Sequence, residues 1–105
     1  MDVESEISPR EVYDRDMDWI RSCDVLIAEV SVPSHGVGYE IGCALGEGKP
    51  VLCLYQEGRK VSKMITGNSH PNLHTKSYRR IEDAISLAHE FLRRGRHIVN
   101  EITSI

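Results

Sequence analysis

Three acids stand out by their surroundings. Glu40 follows Gly36-Val37-Gly38-Tyr39 at the predicted start of a helix. There the positive end of the helix dipole and nearby backbone N–H groups favour an ionised carboxylate. Such a carboxylate can attack an electrophilic sugar carbon, although acids are also simply favourable in a first helical turn. Asp16 shares a helical stripe with Val12, Trp19, Ile20 and Cys23. An acid within an apolar face is rare unless paired or functional; a rim position with the carboxylate in water is the alternative. Glu29 interrupts an apolar run near its carboxyl end, where it can hold a ligand hydroxyl or anchor a loop backbone. Three acids near one crevice suit glycosyl chemistry by paired carboxylates.

The segment Ser31-Val32-Pro33-Ser34-His35-Gly36-Val37-Gly38 carries two hydroxyls and two glycines. It reads as a loop between a buried strand and a helix. Backbone N–H groups at Gly36 and Gly38 can approach an anion there, and the helix dipole adds to the attraction. A phosphate site and an ordinary turn weigh equally on this fragment alone. His70 and His74 have helical spacing, but Pro71 lies between them, so no metal site is expected. Cys23, Cys43 and Cys53 fall on core-facing positions and read as inert.

These residues need a scaffold. Ser8-Pro9-Arg10-Glu11 is a capping box with proline at the first helical position, predicting a helix over 9–22. Asp24 to Val30 and Val51 to Tyr55 are branched apolar runs, the pattern of strands buried on both faces. Tyr39 to Gly46 reads as a helix with Ile41, Ala44 and Leu45 inward. Val61 to Ile65 reads as a helical turn and Leu73 to Tyr78 as a more exposed strand. Ile81, Ala84, Ile85, Ala88, Phe91 and Leu92 share one helical face. The alternation predicts an α/β chain with a parallel sheet, and ligands in such folds bind beyond the carboxyl ends of the strands. Val51–Tyr55 is the one neighbour legible for the first strand, which leaves an apolar edge open.

The 105 residues make one domain, with residues 1–7 read as frayed. Residues 1–57 hold 12 acids and 4 bases; residues 58–105 hold 4 acids and 9 bases. The sums, −8 and +5, give the net −3. That balance is too acidic for a nucleic-acid polymer binder, but it permits charge matching between two copies. Arg93-Arg94-Gly95-Arg96 reads as the solvated end of the last helix. No apolar run approaches the roughly 18 residues of a membrane span, and no basic-then-apolar leader opens the sequence. Three cysteines without a CxxC pair fit a reduced compartment. The expected location is the cytoplasm, with the nucleus as a second one.

The stretches Tyr13–Ile20, Asp24–Gly42 (with Pro33-Ser34-His35-Gly36-Val37-Gly38-Tyr39-Glu40-Ile41-Gly42 as its most specific block), Lys49–Tyr55 and Gly58–Gly67 closely resemble the 2'-deoxynucleoside 5'-phosphate N-hydrolases of the nucleoside 2-deoxyribosyltransferase-like superfamily. The resemblance covers residues 11–92. It implies a Rossmann-like, flavodoxin-like parallel sheet and a homodimer that needs no metal or organic cofactor. The implied reaction releases nucleobase and 2-deoxyribose 5-phosphate from 2'-deoxynucleoside 5'-monophosphates. Under it Glu40 is the nucleophile toward C1', and Asp16 assists as acid/base or orients the substrate. Ser34 and Gly36, with Gly38 beside them, hold the 5'-phosphate. Ser62 reaches the phosphate of the neighbouring subunit, and Glu29 is a further substrate-binding candidate. Family members open with a strand and a Gly-Ser-Ile-Arg-Gly-Gly-like loop that carries a catalytic tyrosine. The sequence matches the family only downstream of that loop, so it reads as N-terminally truncated relative to the family. A deoxyribosyltransferase and an inactive nucleotide-binding or dimerisation module are the competing readings.

Overall fold

Local chemistry starts the first helix where expected. In the computed structural model, which describes residues 7–94 and 102–104, α1 runs Pro9–Ser22. The Glu11 amide donates to Ser8 Oγ at 3.1 Å, and the Ser8 amide donates to the Glu11 carboxylate at 3.0 Å. At the other end the Lys49 ammonium donates to the Arg21 and Cys23 carbonyls at 2.9 and 2.6 Å, binding groups that a helix terminus leaves without partners.

The sheet has four parallel strands: β1 (Val25–Glu29), β2 (Val51–Gln56), β3 (Leu73–Tyr78) and β4 (Ile102–Ser104), in the order β3-β2-β1-β4. The helices between them are α2 (His35–Gly46), the short α3 (Lys63–Thr66) and α4 (Ile81–Arg94). The α/β class and the parallel sheet are as expected. Strand alternation divides the core in two. Leu26, Ala28, Val51 and Cys53 face α1 and α2, meeting Met17, Ile20, Ile41, Ala44 and Leu45. Ile27, Leu52 and Leu54 face α4, meeting Ala84, Leu87, Ala88, Phe91 and Leu92. The first of these layers positions the candidate site, because it seats α1 and α2 side by side on one sheet face.

Several expectations need correction. The edge of β1 is not open: Val25, Leu26 and Ile27 pair in parallel register with Ile102, Thr103 and Ser104. A strand with apolar residues on both faces gains from a second neighbour. Helix α2 starts at His35 rather than Tyr39, because Ser34 Oγ accepts from the Val37 amide at 3.2 Å and caps it. Ile81 and Ile85 are exposed; they lie at the margin of a stripe wider than the sheet surface α4 covers. Cys23 and Cys53 are buried, but Cys43 is only partly so. Of residues 1–7, expected to fray, Ile7 is described and half-buried, while residues 1–6 and Arg96 fall outside the described residues.

Candidate active site

Helices α1 and α2 bring the two anomalous acids together. Asp16 from α1 and Glu40 from α2 line one cleft of about 400 Å³ with Ile7, Pro9, Val12, Tyr13, Met17, Gly36 and Tyr39. Glu40 is 8% exposed and is the only buried polar or charged side chain among the described residues. Buried carboxylates are uncommon and cluster at functional sites. With the helix starting at His35, Glu40 stands in the second turn rather than the first. Its setting is therefore the wall of the cleft, one turn beyond the positive helix end.

Asp16 is partly buried. The Arg15 Nε donates to its Oδ1 at 2.9 Å, while the Arg15 guanidinium lies 4.7 Å from the centre of the Trp19 ring. This stacking fixes the cation that orients the carboxylate. The exposed side of Trp19 thus has a use that its place in the apolar stripe did not suggest.

The phosphate candidates divide between this cleft and an adjoining one. Gly36 lines the acid cleft. Ser34, Gly38 and Ser62 line a neighbouring cavity of about 630 Å³ beneath α2 and α3, together with His35 and Asn68. Tyr39 borders both. Ser34 and Ser62 each cap a helix through the hydroxyl, Ser34 on Val37 and Ser62 on the Met64 amide at 3.2 Å. A Cβ placed on Gly38 would meet nothing within 4 Å, and one on Gly36 would meet only Ser34 Oγ at 3.9 Å. Internal packing does not demand glycine at either position, so the bare backbone faces open space at the helix start.

Glu29 lies in neither cavity. Its carboxylate accepts from the Ser31 amide at 2.8 Å, from Ser31 Oγ at 2.6 Å and from the Tyr78 hydroxyl. Ser31 Oγ in turn accepts from the Gln56 amide at 2.8 Å. The cluster ties the carboxyl ends of β1, β2 and β3, which is the loop-anchoring role. Partial removal from water pushes the Glu29 carboxyl up. The hydrogen bonds from Ser31 and Tyr78, with Arg59 nearby, outweigh this and hold it below its ordinary range. The same bond to Glu29 raises the Tyr78 phenol.

Sequence reasoning missed the aromatic wall. Tyr13 precedes Asp16 by three residues and Tyr39 precedes Glu40 by one; that adjacency was the available signal. Their ring centres are 6.4 Å apart at 59°. The Tyr39 phenol is raised by the neighbouring Tyr13 phenol and, less, by Cys43. His70 Nδ1 accepts from the Asn72 amide at 3.0 Å, and His74 packs edge-on to Phe91. No group of three or more His, Cys, Asp or Glu side chains among the described residues is placed to hold a metal. Burial lifts the Cys53 thiol to about 11, which suppresses its reactive thiolate. No helix among the described residues is long and apolar enough to cross a membrane.

Residues 2–91 match the family described as Nucleoside 2-deoxyribosyltransferase. A Thermofilum pendens protein provisionally named 2'-deoxynucleoside 5'-phosphate N-hydrolase 1 is 45% identical over 87 residues, 81% of this chain and 61% of that protein. The Mus musculus 5-hydroxymethyl-dUMP N-hydrolase is 53% identical over 58 residues, 53% of this chain and 34% of that protein. The chain thus spans between a third and three-fifths of the length of these two relatives. The solved structure of a Clostridium botulinum CMP N-glycosidase superimposes with a TM-score of 0.72 at 28% identity, over 85% of this chain and 75% of that one.

Proposed function

The chain belongs to the nucleoside 2-deoxyribosyltransferase family, and from that premise we propose that it hydrolyses the N-glycosidic bond of 2'-deoxynucleoside 5'-monophosphates. The observation that carries this reading is the buried Glu40 facing a cleft shared with Asp16. The names of the relatives and of the superimposable N-glycosidase support the same bond as the target.

The Glu40 carboxylate attacks C1' of the deoxyribose. The C1'–N bond breaks, its electron pair leaves with the base, and a deoxyribosyl ester remains on Glu40. Asp16, oriented by Arg15, passes a proton at the departing base or holds the sugar. Water then attacks C1', its oxygen bonds to that carbon, its spare proton passes to Asp16 or to solvent, and the C1'–O bond of the ester breaks to regenerate the Glu40 carboxylate. The products are free base and 2-deoxyribose 5-phosphate, and the step requires no cofactor. The 5'-phosphate sits at the start of α2. The Val37 and Gly38 amides are taken there by Ser34, and the His35 and Gly36 amides lead the helix toward the ligand. Ser62 completes the phosphate site of a second copy in a homodimer. The reduced cysteines suit the cytoplasm, with the nucleus as the alternative.

Incubation of the full chain with deoxynucleoside monophosphates tests the reading. Free base with 2-deoxyribose 5-phosphate is the expected product. Transfer of the sugar to an added second base would make it a transferase, and binding without turnover would make it an inactive module. For the shared site, Glu40→Ala and Ser62→Ala proteins are mixed under subunit exchange. Activity above either parent is expected, and no rise with two defective parents contradicts the shared site.

A further inference from the structure

We propose that Tyr13 and Tyr39 form the base-recognition rim of this cleft, with the nucleobase of the substrate stacked on Tyr13 and its edge met by the two phenol hydroxyls. The inference rests on the N-glycosidase reading and adds to it the residues that would contact the leaving base.

The position of the reacting bond sets where the base must lie. The base is bonded directly to C1', so it sits beside whatever carbon Glu40 attacks. From Glu40 the cleft leads along the α1 wall of Val12, Tyr13 and Met17. That wall is apolar apart from Asp16 and the phenols, which suits a flat heteroaromatic ring and not a second charged group. Tyr13 and Tyr39 are 48% and 57% exposed. An aromatic pair this open is not serving the core, and ring faces left in water at a cleft are available to a ligand. They come from neighbouring helices, each near one of the two acids in sequence, and their rings adjoin at 6.4 Å on the lining of the cleft. The two phenol hydroxyls belong to adjoining rings at this rim. Each phenol offers an O–H donor and an acceptor oxygen to the base edge, the kind of polar contact that discriminates among bases.

The test uses the full chain carrying Glu40→Ala, so that nucleotide stays intact, with calorimetric titration of the five common deoxynucleoside monophosphates and of 2-deoxyribose 5-phosphate. Adding Tyr13→Ala should weaken nucleotide binding about tenfold or more, the scale of one lost base–aromatic stack. The sugar phosphate, which has no base, should bind as before. Tyr13→Phe should restore the affinity, and Tyr39→Phe should change the order of preference among the bases. Unchanged nucleotide affinity in Tyr13→Ala would overturn the proposal. So would an equal loss for nucleotide and sugar phosphate, which would mean general damage to the cleft. Turnover by the otherwise unaltered chain separates the two readings. Base-dependent binding through the tyrosines without hydrolysis refutes the hydrolase and keeps the rim. Hydrolysis that ignores both tyrosines refutes the rim and keeps the hydrolase.

Discussion

Replacing Tyr78 with Phe removes one hydroxyl from the Glu29 cluster and leaves the ring in place. The Glu29 carboxylate keeps its bonds from the Ser31 amide and Oγ, at 2.8 and 2.6 Å, and loses the third from Tyr78. A hydrogen bond to a charged acceptor contributes about 1.5–3 kcal/mol when shielded. Glu29 is exposed and its partners Ser31 and Tyr78 are only half-buried, and water screening reduces the expected cost to about 1 kcal/mol or less. For a chain of this size that is a fall in Tm of about 4–8 °C at most. The pH dependence comes from the two shifts. The Glu29 carboxyl is lowered from 4.5, so its stabilisation is complete above that value and fades as pH falls through the lowered one. The Tyr78 phenol is raised from 10.0, so the bond also fades as pH rises through the raised value. Urea denaturation of both proteins across this range should give a constant gap between the limits that closes in acid. The KM for nucleotide should not change. Equal stability at neutral pH would refute the anchoring role. A raised KM with stability intact would return Glu29 to the substrate-binding residues.

Asp16→Asn should lower kcat about 10²- to 10⁴-fold, the range for loss of a positioned acid or base, with stability within about 1 kcal/mol by denaturation because the Arg15 pair is partly solvated. Ser34→Ala removes the acceptor of the Val37 amide and should cost about 1 kcal/mol of stability. Its effect on turnover should be larger for monophosphates than for unphosphorylated deoxynucleosides, measured side by side.

Much of the scaffold is legible in local pattern because local interactions build it. The capping box sets α1, and runs of branched residues set β1 and β2. The start of α2 is not legible, because Gly36 and Gly38 suggest a loop. The Ser34 cap and the packing of Ile41, Ala44 and Leu45 in the core offset the glycine penalty there. Strand β4 has three residues, too few to show a period, and exists through its pairing with β1. The two acids are legible as misfits in their surroundings, one in an apolar stripe and one beside glycines. Their convergence on one cleft is not, since it depends on how α1 and α2 seat on the sheet. Glu29 finds its partner in Tyr78, 49 residues away. No spacing rule reaches that far, so the sequence alone leaves both a ligand hydroxyl and a loop anchor open for it.

The mechanism turns on Glu40 as the nucleophile at C1'. The most direct measurement compares Glu40→Ala with the unaltered full chain for deoxynucleoside monophosphate binding and for release of free base. The variant should still bind the nucleotide while base release is abolished, since a nucleophile is needed for bond cleavage far more than for affinity. Near-normal turnover by Glu40→Ala would contradict this role.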